Sequence, residues 1–239
     1  MLDTRTPSVA RAYDHLLGGE ASFAADRALA GRLVALYPQL QDTLISSRRQ
    51  AADAVARLAR QGVDQYLDVG AGLPTRPSTH ATARALLPAA RVAYIDRDPL
   101  VVEHAASLIP PGVRCQGGDL TEPEALLAAL SYPGPPGFID FSRPVCLVLA
   151  LIVQALEPGT ARAVVGVLVK ALPPGSYLVA TVGATGAGRL PDSVWPAAAT
   201  EADLTAFFGG LDLLPPGISR HGDVLCGTGV KPYPGRARG

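Results

Sequence analysis

The spacing of apolar residues divides the chain into two regions. From the start to about residue 62, apolar residues recur at helical intervals in stretches near 7–17, 23–37 and 41–60. Ala, Val and Leu repeat every three or four positions, which is the pattern of helices with one buried face. Glycine or proline follows each stretch and marks its end. We therefore predict a helical N-terminal extension over residues 1–62.

Beyond residue 62, short apolar runs alternate with helical segments. The runs are "QYLDV", "RVAYID", "VRCQ", "VCLVLALIV" and "SYLVATV", and the helical segments lie near 78–87, 99–108, 122–130 and 158–172. This alternation predicts a parallel sheet with helices on both faces. The C-terminal stretch "LDLLPPGISRHGDVLCGTGVKPY" offers two strands without a helix between them, which predicts an antiparallel hairpin at one sheet edge. We assign residues 63–239 to this α/β domain.

Composition and charge exclude several classes of protein. Hydrophobic residues make up 48% and charged residues 18% of the 239 residues, as in globular proteins. Lys plus Arg equals Asp plus Glu at 21 each, so no net charge attracts the chain to nucleic acid or membranes. The three cysteines lie far apart, and the N-terminus lacks a signal-peptide layout. We expect a cytoplasmic protein with free thiols and neither a nucleic-acid nor a membrane partner.

Two Gly- and Pro-containing segments, 131–144 and 183–199, are predicted to be long loops. Long loops in a domain of this size are often functional. Trp195 lies in the second loop, where it either lines a pocket or anchors the loop to the core.

A glycine turn follows the first apolar run, in the sequence "YLDVGAGLPT". Gly70 and Gly72 allow a sharp turn and a close approach of the backbone to a ligand. A dinucleotide site would continue to a third glycine at a helix N-terminus, which binds the pyrophosphate. This chain has Pro74 instead, which has no N–H to donate. The turn therefore favours a cofactor without phosphate, such as S-adenosylmethionine, over NAD or FAD.

Two acids lie at the ends of the next two apolar runs. Asp96 follows Gly72 by 24 residues, where a carboxylate can accept hydrogen bonds from ribose hydroxyls. The alternative task of capping the following helix falls to Asp98, before a proline. Asp119 can accept from the amine of adenine or can shape a turn beside its two glycines. "TEPE", with Thr121 in the capping position, predicts a capping box for the next helix.

Seven segments form a combined pattern that is more specific than the glycine turn alone: "PSVARAYDHLLGG", "FAADR", "LDVGAGLPT", "VAYIDRDPLVVEHA", "GGDLTEPEALL", "IDFSRPVCLVLALIV" and "GTGVKPY". Nearly the whole chain thereby resembles an S-adenosyl methyltransferase family that is widespread in actinobacteria. The resemblance implies a Rossmann-like class I methyltransferase sheet, mostly parallel with an antiparallel C-terminal hairpin, and a helical N-terminal extension that folds over S-adenosylmethionine. The glycine turn, the ends of the predicted strands and the family resemblance together give a candidate set of cofactor-binding residues: Tyr13, Asp14, Gly19, Asp68, Gly70, Ala71, Gly72, Thr75, His80, Asp96, Arg97, Asp119, Leu120 and Ala150.

Candidates for the methyl-transfer chemistry are few. Displacement at a sulfonium needs alignment and, for a hydroxyl acceptor, a base; it needs no metal. We predict His15, with Tyr13, near the transferred methyl group, against the alternative that Tyr13 packs and His15 is exposed. For His80 we favour a structural role that orients the glycine loop. Gln154 stands at a position where the family usually has histidine. This difference from the family affects the expected acceptor chemistry and not the expected cofactor binding.

These features favour an S-adenosylmethionine-dependent methyltransferase of a small molecule in specialised metabolism. The Asn/Asp-Pro-Pro-Tyr signature of methylases that act on base amino groups is absent, which speaks against a nucleic-acid acceptor. A first rival hypothesis is a protein that binds S-adenosylmethionine as a sensor or interaction partner without methyl transfer. A second is an NAD-dependent oxidoreductase, against which Pro74 argues.

Overall fold

The strands of the chain form a single sheet in a computed structural model, which describes residues 3–75, 77–131, 138–184 and 199–235. Its strands are β1 Gln65–Val69, β2 Arg91–Asp96, β3 Val113–Gly117, β4 Cys146–Ala150, β5 Tyr177–Gly183, β6 Asp212–Leu213, β7 Ser219–His221 and β8 Val224–Val230. The helices are α1 Val9–Leu16, α2 Ala24–Leu36, α3 Leu40–Arg60, α4 Thr79–Leu86, α5 Pro99–Leu108, α6 Pro123–Ser131, α7 Pro158–Ala171 and α8 Glu201–Ala206.

The sheet has the order β3-β2-β1-β4-β5-β8-β6, and β1 to β5 pair in parallel. Strand order reverses between β1 and β4, because the chain leaves β3 at one edge and returns beside β1. In open α/β sheets, ligands bind in the crevice at the carboxyl ends of the strands at such a reversal. The fold thus places the glycine turn after β1 at the expected binding crevice.

The C-terminal strands confirm a mostly parallel sheet with an antiparallel end, and they refine its form. β8 runs antiparallel to β5 from Tyr177–Val230 to Gly183–Val224. β6 and β7 both pair antiparallel with β8, at different places along it. β8 is therefore inserted between β5 and the outermost strand, rather than added as a hairpin at the edge. Helix α8, which the sequence pattern did not predict, leads into this part of the sheet.

Successive side chains of the central strands point to opposite faces of the sheet, so each face has its own apolar core. In β4, Leu147 and Leu149 pack on the face covered by α6, α7 and α8, whereas Cys146 and Val148 pack on the face covered by α3 and α4. Burial on both faces explains why this strand reads as a continuous apolar run. That run is shorter as a strand than the sequence indicated, because Leu151 leaves the sheet with φ at 56°.

The N-terminal helices have a separate small core. Ala12 of α1, Leu29 and Leu33 of α2 and Leu44 of α3 pack together with Leu151, which follows β4. The three N-terminal helices predicted from the sequence are thus present near their predicted limits. The second half of α3, however, packs on the sheet, so this helix contributes to both parts. The domain boundary near residue 62 stays a prediction.

Parts of both predicted loops, residues 132–137 and 185–198, lie outside the described residues, and Trp195 is among them.

Candidate active site

A cavity of about 1160 Å³ lies at the carboxyl ends of β1, β2 and β4, between the sheet and the N-terminal helices. Most of the predicted cofactor-binding residues line it: Tyr13, Asp68, Gly70, Ala71, Gly72, Asp96, Arg97, Asp119, Leu120 and Ala150. Five other candidates do not line the cavity: Asp14, His15, Gly19, Thr75 and His80.

The glycine turn has the backbone conformation that its sequence suggested. Gly70 has φ at 66° and Gly72 has φ at 60°, in the left-handed region that favours glycine. A Cβ at Gly70 would collide with the side chain of Ile152. Both the turn conformation and the close packing therefore require glycine at position 70.

The amides of Gly70, Ala71 and Gly72 are all bonded within the protein. Gly70 N–H and Ala71 N–H donate to the carbonyl of Ile95, at 2.8 and 3.2 Å. Gly72 N–H donates to Oδ2 of Asp96 at 2.9 Å. Pro74 follows and has no N–H. The amides of Gly70, Ala71 and Gly72 are therefore not available to a phosphate, and an adenosine cofactor without phosphate does not need them.

Asp96, at the end of β2, has a structural task that the sequence did not reveal. Its Oδ2 accepts the Gly72 amide, and its Oδ1 accepts the amide of Asp98 at 3.0 Å. Burial raises the pKa of this carboxyl, although the two backbone bonds oppose the shift. Asp98 caps α5 by accepting the Leu100 amide at 2.9 Å, as predicted. Carboxylate oxygens accept more than one hydrogen bond, so Asp96 retains capacity for a ligand.

Asp119 shapes the turn after β3, and the predicted capping box is wrong. Its Oδ1 accepts both the amide and the hydroxyl of Thr121 at 2.8 Å. Helix α6 begins at Pro123, so the residue before it, Glu122, takes the capping position instead of Thr121. The bonds from Thr121 hold the pKa of Asp119 below its usual range. An ionised carboxylate thus borders the cavity at this strand end.

Asp68 is a buried acid on β1. It accepts a hydrogen bond from the Thr79 hydroxyl at 2.6 Å. Burial, with a smaller contribution from the charge of Asp96, raises its pKa to about 6, while Thr79 and Arg48 oppose the shift. Its charge state therefore changes close to neutral pH.

Arg48 of α3 is a site residue that the sequence reasoning missed. Its guanidinium donates to the carbonyls of Thr75 at 2.6 Å and Leu73 at 3.0 Å, and so holds the end of the glycine turn. It also lies over the ring of Tyr13, 5.1 Å from the centroid, and donates to the Tyr13 hydroxyl at 3.4 Å. Arg48 lies in the sequence "SSRRQ" at residues 46–50, and only the fold brings it to the turn. Thr75 contributes to the site through its carbonyl.

The N-terminal motif divides between the cavity and the interior. Tyr13 lines the cavity, and burial raises the pKa of its hydroxyl. Asp14 packs against Gly19, where a Cβ would collide with its carboxylate, and it accepts the Ala21 amide at 3.3 Å. His15 lies two residues after Tyr13 on α1, so it points away from Tyr13. The structure does not bring His15 to the cavity.

His80 and Gln154 hold backbone elements together. The amide of His80 donates to the Tyr94 hydroxyl at 2.9 Å, and its Nδ1 is also 2.9 Å from that oxygen. This ties the start of α4 to β2, whereas orientation of the glycine loop by His80 stays a prediction. Gln154 is buried, and its Oε1 accepts the amide of Gly183 at the end of β5.

Within the described ranges, no cluster of three or more His, Cys, Asp or Glu side chains could hold a metal ion. Among the same residues, no helix has the length and apolarity to cross a membrane.

Comparisons with known proteins agree with this geometry. Residues 1–224 match the model of the S-adenosyl methyltransferase family. A crystal structure from Thermobifida fusca, assigned as a methyltransferase, has 33% identity and a TM-score of 0.85, with 97% of each chain covered. A DUF574 family protein from Streptomyces avermitilis has 29% identity and a TM-score of 0.84, with 97% of this chain and 100% of that chain covered. No curated protein matches the chain.

A more distant structure supports the fold. CalS10 from Micromonospora echinaspora, an amino pentose methyltransferase bound to S-adenosylmethionine, has 20% identity and a TM-score of 0.51, with 78% of this chain and 92% of that chain covered.

The carboxylates at the strand ends and the already bonded amides of the turn fit an adenosine cofactor that carries no phosphate. The chain therefore belongs to the S-adenosyl methyltransferase family and is an S-adenosylmethionine-dependent methyltransferase.

Proposed function

We propose that the protein transfers a methyl group to a small-molecule acceptor with an apolar body, bound beside the cofactor under the N-terminal helices. Specialised metabolism is the context that we propose for this acceptor. The observation that carries the proposal is the volume of the cavity, about 1160 Å³. Pockets for one drug-sized ligand span about 300–1,000 Å³. The cavity is therefore large enough for the cofactor together with a small acceptor.

The lining of the cavity supports an acceptor that is partly apolar. Away from the strand-end carboxylates, the lining contains side chains from α2 and from the segment after β4: Leu29, Leu33, Leu36, Leu151, Ile152 and Leu156. Apolar surfaces of this kind gain free energy when they are covered by an apolar ligand. An acceptor with a polar reacting atom on an apolar body suits both the strand-end carboxylates and the apolar side chains of the lining.

The strand-end residues would bind and orient the cofactor. The cofactor supplies an activated methyl group on a sulfonium, so the protein mainly contributes alignment and exclusion of water. Asp96 would accept hydrogen bonds from the ribose hydroxyls, and Asp119 would accept from the adenine amine. Asp68, Gly70 and Gly72 border the same crevice, and Arg97, Leu120 and Ala150 complete its wall.

Tyr13 is the residue that we place next to the acceptor. Because burial raises its pKa, its hydroxyl stays protonated near neutral pH and serves as a hydrogen-bond donor rather than as a base. Arg48 fixes the ring from one side. His15 lies outside the lining, so the proposal assigns it no part in the transfer.

The experiment is incubation of the protein with methyl-labelled S-adenosylmethionine and fractionated small-molecule extracts, followed by mass spectrometry of labelled products. We expect a labelled small molecule that depends on the protein and decreases with Asp96→Ala at limiting cofactor concentration. Cofactor binding in calorimetry without any labelled product would favour the sensor hypothesis. Label on protein or nucleic acid alone would contradict the small-molecule proposal.

We also propose a cytoplasmic location. Its support is the chemistry of the cysteines: Cys115, Cys146 and Cys226 are free thiols. Burial raises the pKa of Cys115 to about 11 and raises that of Cys146 as well, which keeps both thiols protonated. Free thiols are typical of reducing compartments. The equal numbers of acidic and basic residues support the absence of a nucleic-acid partner.

A further inference from the structure

Arg11 of α1 connects three separate parts of the chain at the wall of the cavity. Its side chain is 3% exposed. Nε donates to Oδ2 of Asp26 in α2, Nη1 donates to Oδ2 of Asp98 after β2, and Nη2 donates to the carbonyl of Thr6, each at 2.9 Å. One planar guanidinium therefore joins the N-terminal helices to the turn that begins α5.

Asp26 makes the N-terminal side of this connection rigid. Its carboxylate is fully buried and also accepts the amides of Ser8 and Phe23, both at 2.8 Å. Burial opposes its ionisation, but the bonds from Arg11 and these amides hold its pKa below the usual range. The two amides precede α1 and α2, so Asp26 fixes the start of both helices.

Asp98 connects Arg11 to the cofactor crevice. Its Oδ1 caps α5, which leaves Oδ2 to face Arg11. Its amide donates to Asp96, and Asp96 in turn accepts the amide of Gly72. A continuous series of bonds thus leads from α1 to the glycine turn.

Helix α1 also lies directly against that turn. A Cβ at Gly72 would be 3.9 Å from the Cβ of Ala10, and Tyr13 lines the cavity near the same turn. We propose that Arg11 is a positioning residue that holds the N-terminal helices closed over the crevice through Asp98, and that the cofactor enters and leaves when this pair opens. The proposal rests on the cofactor site and is independent of which acceptor is methylated.

The first test is Asp98→Asn, with binding kinetics of S-adenosylhomocysteine measured by surface plasmon resonance. Asparagine keeps an oxygen that caps α5, and its amide group faces Arg11 with a donor instead of an acceptor. The Arg11–Asp26 pair is retained. We expect the dissociation rate to rise about tenfold, as for the loss of one charge-assisted hydrogen bond. We expect the association rate to rise as well, because the open state becomes more populated.

The association rate separates closure from damage to the pocket. Damage to the turn around Asp96 would weaken binding without faster association, and that result would overturn the proposal, as would unchanged kinetics. Wild-type protein that bound no S-adenosylhomocysteine would instead contradict the cofactor site itself. In the ligand-free protein, amide hydrogen exchange in α1 should also be faster in Asp98→Asn than in the wild type.

Two further variants complete the test. Arg11→Met combined with Asp26→Asn breaks the same connection from the other side. It removes the charge of the fully buried Asp26, whereas the carboxylate of Asp98, 16% exposed, loses its cation. It should show the same rise in both rates. Arg143→Met removes the exposed Arg143–Asp64 pair, which lines a separate cleft away from the crevice. This control should leave both rates unchanged, and a similar effect in the control would contradict a specific role of Arg11.

Discussion

The two walls of the cavity are built in different ways. On the sheet side, the acids bond mainly to backbone close in sequence: Asp119 to Thr121 and Asp98 to Leu100, each two residues away. On the helical side, Arg11 pairs with Asp98, which is 87 residues away. The bonds between near neighbours need only the local turn after each strand. The Arg11–Asp98 pair, in contrast, forms only when the N-terminal helices are docked on the sheet. The comparison indicates that the crevice is shaped by the sheet and that the cover depends on a few buried charges.

The largest expected effect is on the helical side. Arg11→Met leaves the carboxylate of Asp26 buried without its cation, which should lower the free energy of unfolding by about 3–5 kcal/mol. Urea unfolding followed by circular dichroism measures this loss. Adding Asp26→Asn should recover part of it, because the unpaired charge is removed. A loss below about 1 kcal/mol, the range of exposed pairs, would contradict the assignment of a buried pair.

The next effect is on the sheet side, at the glycine turn. Gly70→Ala places a side chain in the left-handed region, which costs about 1–2 kcal/mol, and forces Ile152 aside, which costs about 1–3 kcal/mol more. Gly210→Ala is a matched control, since Gly210 has φ at 82° and a Cβ added there would have nothing within 4 Å. Thermal unfolding should show a larger loss for Gly70→Ala, together with loss of cofactor binding. Equal losses in the two variants would show that the contact with Ile152 is unimportant.

Asp96→Ala tests the acid that bonds the glycine turn to the start of α5. It removes the acceptor of the Gly72 and Asp98 amides and the proposed ribose contacts, each worth about 1.5–3 kcal/mol. Calorimetry should show at least a tenfold lower affinity for S-adenosylmethionine, with the fold retained. Asp212→Ala, an exposed acid on β6, should have no effect on affinity. Unchanged affinity in Asp96→Ala would mean that the acid serves the turn alone.

Asp68 should contribute a pH-dependent part of the free energy of unfolding. Its pKa of about 6 in the folded protein lies above the ordinary value of 3.8, so the folded state binds the proton more tightly than the unfolded state. The contribution to stability is therefore fully present below pH 3.8 and is lost as pH rises through 6, a change on the order of 2–3 kcal/mol. Asp68→Asn should lack this part of the pH dependence, which urea unfolding between about pH 4 and 7 measures. Parallel curves for the wild type and the variant would contradict the raised pKa.

The smallest expected effect is at an exposed pair far from the crevice. Arg143→Met removes its bond to Asp64, where the two side chains are 47% and 40% exposed. Exposed pairs contribute about 0–1 kcal/mol, and salt weakens them. Urea unfolding should therefore show little change, in contrast to Arg11→Met. A loss comparable to that of Arg11→Met would remove the distinction between buried and exposed pairs.

Much of the fold was predictable because its signals are local. The strands β1 and β2 and helix α5 have the predicted limits, and Asp98 with Pro99 marked the start of α5 correctly. Gly70 and Gly72 were identified because left-handed backbone restricts residue type strongly. Helix α8 was missed, since its six residues are too short for a clear helical period. The insertion of β8 depends on sheet pairing, which no local pattern specifies.

The candidate site was less predictable on its helical side. Arg11 and Arg48 gave no local signal, because their partners are distant backbone carbonyls and carboxylates. His15 was favoured for its chemistry, but the helical phase of α1 directs Tyr13, and not His15, to the cavity. Asp119 was correctly placed at a strand end, although its bonds to Thr121 replaced the expected capping box. Residue type suggested the chemistry, and only the docking of the helices determined which residues reach it.

The central claim is that this crevice binds an adenosine cofactor through carboxylates, while the amides of Gly70, Ala71 and Gly72 are bonded within the protein and unavailable to a phosphate. Calorimetric titration of the wild-type protein with S-adenosylhomocysteine and, separately, with NAD tests it most directly. The account predicts one bound S-adenosylhomocysteine per chain and no binding of NAD. Binding of NAD at similar affinity, or no binding of S-adenosylhomocysteine, would contradict it.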